Sequence, residues 1–320
     1  MTSPRRSATR LVAPLLLGAF LASCAAAPDS DGGYSYEVQP YAVEPRLDIA
    51  WRRNLDPVEH WDYRPRQYSS PTVYRTSGSR GVVVGTDGGS VVALKGGNGA
   101  VEWRTDVDGP VHAAPALDAS SVYVGTLYGT FYALDRETGE VRWKHTTDRE
   151  VEARAAVGDA HVFYTTNSDK LLALGKTDGK VAWSHTQSVP EEFTSKGSGR
   201  PVVKGGTVYC GFSDGMLRAF AADDGSKRWS IDLSGGKENF ADVDAEVAVT
   251  SDRVYAASQS GGLYALRRGD GTVDWHADLS EITSFEYFEG RIYATMVPTR
   301  VVQLDAEDGT VGWSYELAEH

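Results

Sequence analysis

Histidine, cysteine and acidic side chains are the groups of this 320-residue sequence that could bind a metal ion or act as nucleophile and base. The seven histidines do not pair at the spacing of zinc ligands, and no G-x-S-x-G or P-loop string occurs. Acidic segments at 223–225 and 305–309 lack the alternating pattern and closing Glu of a calcium loop, and suit tight turns between strands. The sequence therefore predicts no catalytic residue and no metal ion, and favours a protein that works by binding.

The two cysteines, Cys24 and Cys210, lie in different settings. Cys210 belongs to the alternating segment TVYCGF, where we interpret it as a small buried apolar side chain, and no disulfide framework is expected. Cys24 follows an arginine-containing start and an apolar run at residues 11–20. A membrane-spanning helix needs roughly 20 apolar residues, so this shorter run is typical of a signal peptide instead.

The segment Leu21-Ala22-Ser23-Cys24 resembles the lipobox of bacterial lipoproteins. That resemblance implies removal of residues 1–23 as a signal peptide, attachment of diacylglycerol to the Cys24 thiol, and acylation of the new amino terminus, for example with palmitate. Several acyl chains anchor a protein firmly where a single chain is marginal. Ala25 stands where Asp would signal inner-membrane retention, so we expect an outer-membrane anchor and a periplasmic folded part. An ordinary secretory signal with a chance cysteine is the alternative.

The mature chain is predicted to be one folded region behind a tether. Residues 24–46 are rich in Ala, Pro, Asp, Ser and Gly without periodicity, as in a flexible linker, and residues 47–320 form the folded domain. No other apolar stretch approaches the roughly 18 residues of a membrane span. The net charge of −12 argues against a nucleic-acid partner, because phosphate binding requires clustered Lys and Arg.

A repeat that ends in tryptophan occurs six times in the folded region. Each copy has a glycine four residues before its tryptophan, and five copies have an alanine ten residues before it, with Gln303 in the sixth. Successive tryptophans lie 40, 40, 46, 46 and 38 residues apart. The six tryptophans, which we expect to be structural, are Trp103, Trp143, Trp183, Trp229, Trp275 and Trp313.

Short alternating runs such as SVYVGT and FYAL, separated by glycine-bearing turns, make up each copy. This pattern predicts four antiparallel strands per repeat, which is the composition of a β-propeller blade. Because one blade cannot bury both of its faces, neighbouring blades must stack, and a large Trp against a small Gly or Ala allows close approach. The sequence therefore predicts an all-β protein, a β-propeller of six four-stranded blades.

The segment ALDRETGEVRW at residues 133–143 matches the whole tryptophan-docking repeat of quinoprotein-like (PQQ-like) propellers, and the other copies match it in part. Within that superfamily, a lipidated chain of this size is most similar to the BamB family. Its members are propeller lipoproteins of the machinery that assembles outer-membrane β-barrel proteins. The resemblance covers residues 48–313.

The segment DIAWRRNL at residues 48–55 departs from the repeat, because it looks like a Trp strand that lacks the three strands before it. In closed propellers of the family, such an N-terminal strand completes a blade whose other three strands come from the carboxyl end. We do not expect those strands here, since seven residues follow Trp313. The family has eight blades, whereas this sequence supplies six and the extra strand. A six-blade ring with an added strand and a ring that is open or truncated both fit the sequence.

Quinoprotein dehydrogenases share the repeat and are the enzymatic alternative. Those enzymes are considerably longer, and they carry an adjacent cysteine pair beneath the quinone and a calcium ion beside a catalytic Asp. This sequence contains no Cys-Cys pair. We therefore expect no enzyme activity and no cofactor.

Two connections between predicted strands are longer than the rest, at residues 187–200 and 234–244. They belong to adjacent blades, so we expect both at one region of one face, and loops on a rigid scaffold often carry function. In the BamB family the matching loops contact the periplasmic domains of the barrel-assembly protein BamA. The resemblance places the partner contacts at Phe193, Lys196, Asp242 and Asp244.

The match to that family pattern is uneven. The Asp-Val-Asp at 242–244 is identical to it, and Lys196 stands where the family has Arg. Ser195 stands where the family has a hydrophobic residue, which weakens the inference. Two solvated surface loops, with their Asp residues making turns, are the alternative.

These features together favour a non-catalytic periplasmic scaffold lipoprotein, an accessory of outer-membrane β-barrel protein assembly and insertion with a BamA-like partner. A propeller that binds another envelope protein or a glycan is the first alternative. A quinone-dependent oxidoreductase is the second.

Overall fold

The structure, a computed structural model, describes residues 49–56, 68–76, 79–187, 199–236, 243, 247–279 and 281–317. The chain divides into two compact units, 1–41 and 42–320, and the first lies entirely outside the described residues. So do the lipobox cysteine and the four residues expected to contact a partner, which are Cys24, Phe193, Lys196, Asp242 and Asp244.

The described residues form six antiparallel sheets of four strands each, and they contain no helix. The all-β expectation and the six four-stranded blades are thereby confirmed. The first three sheets are β1 (Thr72–Thr76), β2 (Ser79–Gly85), β3 (Ser90–Lys95), β4 (Val101–Asp106); β5 (Ala116–Leu117), β6 (Ser121–Gly125), β7 (Thr130–Asp135), β8 (Val141–Thr146); and β9 (Ala156–Val157), β10 (His161–Thr166), β11 (Lys170–Gly175), β12 (Val181–Thr186). The last three are β13 (Val202–Lys204), β14 (Thr207–Gly211), β15 (Met216–Ala221), β16 (Lys227–Asp232); β17 (Ala248–Val249), β18 (Arg253–Ser258), β19 (Gly262–Arg267), β20 (Val273–Ala277); and β21 (Ile282–Phe288), β22 (Arg291–Met296), β23 (Arg300–Asp305), β24 (Val311–Glu316).

The strands of each sheet follow one another in chain order, so the two ends of every sheet differ. The turn from the second to the third strand and the connection from the fourth strand to the next sheet lie at one end, which we call the loop end. The turns from the first to the second and from the third to the fourth strand lie at the other, the turn end. Both long connections of the sequence begin after a fourth strand, and they therefore start at the loop end.

Each sheet has two faces of different composition. The face that carries the tryptophan, here called the Trp face, packs on the opposite face of the next sheet, its back face. Between the second and third sheets, for example, the Trp face contributes Tyr123, Phe131, Ala133 and Trp143, and the back face contributes Val162, Tyr164, Leu172 and Leu174. Repetition of this contact gives five apolar cores between six sheets, as expected for stacked repeats.

The recurring spacing between glycine and tryptophan does not reflect a contact within one copy of the repeat. Each tryptophan packs instead on the glycine of the next copy. Trp143 lies beside Ala133 of its own sheet and packs on Gly179 of the next sheet, where a Cβ would lie 2.6 Å from the indole ring. The indole Nε1 donates a hydrogen bond to the carbonyl of Lys176, at 2.8 Å. Gly179 has φ +68°, which also favours glycine. The same dock is made by Trp103 on Gly139, Trp183 on Gly225, Trp229 on Gly271 and Trp275 on Gly309.

Trp51 makes the same dock on the first sheet, although it belongs to none of the six. Its Nε1 donates to the carbonyl of Gly96 at 2.9 Å, and a Cβ on Gly99 would lie 2.5 Å from its ring. The segment 49–56 forms no β-ladder with the other described residues. The expected extra strand is therefore not formed there, although its tryptophan docks on the first sheet.

Trp313 differs from the other repeat tryptophans. It is 39 % exposed, whereas Trp103, Trp143 and Trp229 are buried and Trp183 and Trp275 are half-buried. In the described part of the chain, Trp313 therefore does not share the packed environment of the other five repeat tryptophans. Separately, no helix among the described residues has both the length and the apolarity to cross a membrane.

Candidate functional site

The two long connections meet at the loop end of the fourth sheet. Gly199, the first described residue after one of them, lies so close to Val243 in the other that a Cβ on Gly199 would be 3.0 Å from the Val243 carbonyl oxygen. Thr165 Oγ1 donates a hydrogen bond to the carbonyl of Gly199, at 3.1 Å, which ties this point to the third sheet. The described boundaries of both connections are therefore brought together at one end of adjacent sheets.

Val243, the centre of the Asp-Val-Asp sequence, is a core residue. It is fully buried, and it packs on Gly211 at the end of a second strand, where a Cβ would lie 2.5 Å from its Cγ1. Val111 and Val151 pack in the same way on Gly85 and Gly125. The part of this motif that the structure describes thus has a structural role that sequence reasoning missed.

A spacing in the sequence could have revealed that role. Val111, Val151 and Val243 each stand 32 residues before the tryptophan of the sheet that follows them. The residue after the first two valines stabilises a turn at the loop end: His112 Nε2 lies 2.9 Å from Asp87 Oδ1, and Glu152 Oε2 accepts a hydrogen bond from Asn167 Nδ2 at 2.8 Å. Asp244 occupies the equivalent position in the sequence and lies outside the described residues.

A buried arginine holds the start of the first long connection. Arg218, 8 % exposed, forms an ion pair with Asp214 at 2.5 Å and donates to Oε1 of Gln187 at 3.2 Å. Gln187 is the last described residue before that connection. The guanidinium also lies 4.9 Å from the ring centre of Phe212. Because a buried charge needs both a counter-ion and hydrogen bonds, this arrangement fixes the point from which the connection leaves the sheet.

The neighbouring groups at this end of the third and fourth sheets are buried as well. The Asp169 carboxylate, 2 % exposed, accepts hydrogen bonds from the backbone N–H of Ser213, at 3.0 Å, and from its hydroxyl. His185 packs against the rings of Phe212 and Phe220, and burial, together with the charge of Arg218, lowers the pKa of its imidazole. The base of the long connections is therefore buried and closely packed, as suits a scaffold that displays loops, although His185 Nε2 has no hydrogen-bond partner among the described residues.

Two aromatic residues at the loop end are exposed, and sequence reasoning did not single them out. Tyr128, 69 % exposed, covers Gly109, and Tyr68, 57 % exposed, lies with its ring centre 4.6 Å from that of His112. Tyr128 stands in the turn between β6 and β7, where glycine, serine and aspartate predominate in the other copies. Exposed tyrosines are favoured at protein interfaces.

The turn end is occupied by structural ion pairs. Asp118 pairs with Lys176 of the next sheet at 2.8 Å. Burial alone would raise the pKa of the Asp118 carboxyl, but hydrogen bonds from Lys176 and from the backbone of Ser120 and Ser121 outweigh it and lower that pKa to about 2. The hydrogen bond from Arg142 likewise lowers the pKa of Asp135 to about 2. Asp118 thus links the second sheet to the third, and Asp135 pairs with Arg142 within the second sheet.

Residues that could hold a metal ion or take part in redox chemistry are not clustered in the described part of the chain. No group of three His, Cys, Asp or Glu side chains is positioned there to bind a metal. Cys210 is fully buried in the core between the third and fourth sheets, and burial raises the pKa of its thiol. It packs as a small apolar side chain.

Comparison with known proteins shows the family to which this chain belongs. The model of the family described as outer membrane protein assembly factor BamB matches residues 41–125 and 114–315. The structure is similar to the crystal structure of BamB from Moraxella catarrhalis, with a TM-score of 0.69 and 22 % identity over 77 % of this chain and 75 % of that chain. It is also similar to the computationally designed Ika8 protein, with a TM-score of 0.56 and 14 % identity over 79 % of this chain and 88 % of that chain. At these identities the two structural likenesses concern the fold. No curated protein matches the sequence significantly.

Proposed function

Because the chain belongs to the BamB family of outer-membrane protein assembly factors, we propose that it is a non-catalytic periplasmic scaffold in the assembly and insertion of outer-membrane β-barrel proteins. A BamA-like protein is its proposed partner. The proposed contacts are Phe193, Lys196, Asp242 and Asp244 on the two long connections.

The observation that carries the proposal is the meeting of Gly199 and Val243 at the loop end. It brings together the described boundaries of the two connections that the family resemblance associates with partner contacts. The buried Arg218–Asp214 pair and its bond to Gln187 give one connection a rigid base, and the exposed Tyr68 and Tyr128 lie at the same end of the sheets. A rigid scaffold that displays loops and aromatic side chains is suited to binding a protein.

We further propose that Cys24 carries the lipid anchor and that residues 24–46 form the tether to the propeller. Replacing Cys24 with Ser removes the only thiol of the lipobox-like segment. We expect this variant to leave the membrane fraction or to stay unprocessed, measured by fractionation and by the mass of the amino-terminal peptide. A mature, lipid-modified Cys24→Ser protein would contradict the anchor.

Charge reversal on the long connections should weaken partner binding without unfolding the protein. We expect Lys196→Glu, and separately the double change Asp242→Lys and Asp244→Lys, to reduce the partner captured from membrane extract by about tenfold or more, because losing one member of a close charge pair at an interface costs about 2–5 kcal/mol. For Lys196→Glu the melting temperature should stay close to that of the original chain, since surface substitutions usually change stability by less than about 0.5 kcal/mol. Asp244 stands at the repeat position where His112 and Glu152 stabilise a turn, so capture by the double variant is compared at the same amount of folded protein.

Matched controls lie at the turn end, where Lys180, Glu137 and Glu140 are exposed. Lys180→Glu changes the net charge as Lys196→Glu does, and the double change Glu137→Lys, Glu140→Lys matches the double change of the Asp pair; both should leave capture unchanged. Equal capture by all variants would contradict the proposed contacts, and equal loss in a variant and its control would assign the effect to net charge alone.

A further inference from the structure

Tyr68 and Tyr128 contact the two ends of one short connection at the loop end, between β4 and β5. Tyr128 covers Gly109, and the ring centre of Tyr68 lies 4.6 Å from that of His112. Because Gly109 and His112 are three residues apart, their Cα atoms are at most about 11 Å apart. The two tyrosines, each more than half exposed, therefore belong to one surface, which we call the tyrosine surface.

Both tyrosines are displayed on a well-anchored backbone. Leu127, directly before Tyr128, donates its N–H to the carbonyl of Pro110 at 2.9 Å. Ser69, directly after Tyr68, is buried, and its hydroxyl donates a hydrogen bond to one backbone carbonyl and accepts one from a backbone N–H. Aromatic side chains that are held in place in this way lose little conformational entropy when they bind.

The fold does not require a tyrosine in the turn between β6 and β7. Gly88, Ser168 and Asp214 stand at the equivalent place in the first, third and fourth sheets. Because a small or polar residue suffices to make this turn, the turn itself does not account for Tyr128. An exposed aromatic side chain at such a place favours contact with another protein.

The charge around the tyrosine surface is negative. Residues 106–115 and 146–155, which follow the first and second sheets, carry one exposed basic side chain, Arg149, and four exposed acidic ones, namely Asp106, Asp108, Asp148 and Glu152. An aromatic ring attracts a cation placed over its face, and nearby carboxylates add to that attraction. The surface therefore fits lysine or arginine side chains, and it repels an anionic lipid surface.

The exposure of the two rings favours a protein partner over a small ligand. Small molecules bind in concave sites that bury most of their surface. Tyr68 and Tyr128 are instead more than half exposed, so a partner must cover them with a surface of its own.

We propose that the tyrosine surface binds a segment of the partner protein that carries lysine or arginine, with the basic side chain against the rings of Tyr68 and Tyr128. The inference rests on the proposed function, because it assigns the BamA-like partner a second contact region. That region lies on the first two sheets, at the same end as the two long connections that follow the third and fourth sheets.

Removal of the rings should weaken binding of the partner. We expect the double change Tyr68→Ala, Tyr128→Ala to reduce the barrel-assembly protein captured from solubilised membranes by about tenfold, compared at equal amounts of folded protein. Tyr128→Lys should also reduce capture, because an added positive charge repels a basic segment, whereas Tyr128→Phe keeps the ring and should capture normally. Phe288→Ala is the matched control, since it removes an exposed aromatic side chain at the turn end, and it should leave capture unchanged.

A photoreactive side chain identifies what lies on the surface. The full chain with p-benzoylphenylalanine in place of Tyr128 is irradiated in intact cells, and the crosslinked peptide is sequenced. The same replacement of Lys196 reports on the proposed contacts, and that of the exposed Glu137 reports on the turn end. We expect positions 128 and 196 to crosslink to the same protein and position 137 to crosslink to neither region of it. At position 128 the crosslinked segment should contain lysine or arginine.

The outcomes separate this inference from the proposed function. Crosslinks to the barrel-assembly protein from position 196 alone, with full capture by the double tyrosine variant, would overturn the tyrosine surface and leave the proposed function intact. A crosslink from position 128 to a basic segment of another envelope protein would support the surface and contradict the proposed partner. A glycan, a lipid or an acidic segment at position 128, or an equal loss of capture in Phe288→Ala, would overturn the inference.

Discussion

Replacing Trp143 with alanine is expected to lower the free energy of unfolding by about 3–5 kcal/mol, the usual cost of truncating a large buried aromatic side chain. Trp143 is buried between the second and third sheets, and its indole donates to the carbonyl of Lys176. The change removes both the apolar contact with Gly179 and that hydrogen bond, and the carbonyl loses its partner. Urea unfolding followed by circular dichroism measures the loss, provided that the slope with urea is unchanged.

Trp313→Ala is the matched control, because it changes the same residue type at the same place in the repeat. Trp313 is 39 % exposed and fills no dock among the described residues. We therefore expect a loss of about 1 kcal/mol, as for a partly exposed side chain. Similar losses at the two positions would show that docking on the next sheet contributes nothing to stability.

Gly139→Ala is expected to lower the free energy of unfolding by about 2–5 kcal/mol through two separate effects. Gly139 has φ +77°, a left-handed conformation that costs an L-residue roughly 1–2 kcal/mol. The new methyl group would also lie 2.6 Å from the ring of Trp103 and 2.8 Å from Thr105 Oγ1, so the tryptophan must move. Displacing packed side chains in this way typically costs about 1–3 kcal/mol.

Two other glycines separate these effects. Gly206 has φ +68° with no atom within 4 Å of an added Cβ, so Gly206→Ala should show the backbone cost alone. Gly97 has an equally open surrounding and no positive φ, so Gly97→Ala should change stability little. Thermal or urea unfolding of the three variants gives the comparison. A loss at Gly139 equal to that at Gly206 would rule out an energetic role for the tryptophan dock.

The sequence predicts the sheets well because their signal is local. Short apolar runs such as Val122, Tyr123 and Val124 supply both buried faces of a strand that lies between two neighbouring sheets, and glycine-bearing turns define its ends. Fixed spacing also identifies the packed tryptophans. It does not tell which glycine receives which tryptophan, because Trp143 and Gly179 belong to different copies and meet only when the copies stack. For the same reason, the sequence does not predict the exposure of Trp313. Its repeat has the same spacing as the others, but no glycine of a following sheet packs on it among the described residues.

The candidate site is less accessible to sequence reasoning. Loop length indicates the two long connections, and adjacent blades imply a common end. The contact of Arg218 with Gln187 depends on residues 31 positions apart that no short pattern links. Val243 belongs both to the Asp-Val-Asp motif of the family and to a position that recurs in the repeat. Its burial can be inferred from the sequence only by comparison with the equivalent residues Val111 and Val151.

The most direct measurement is the identity of the protein that co-purifies with this chain from solubilised membranes. If the chain is an assembly scaffold, the outer-membrane barrel-assembly protein should be captured by the original chain and strongly reduced with Lys196→Glu or with the double change at Asp242 and Asp244. Capture of an unrelated envelope protein by the original chain, with no barrel-assembly protein among the captured species, would contradict the proposed function.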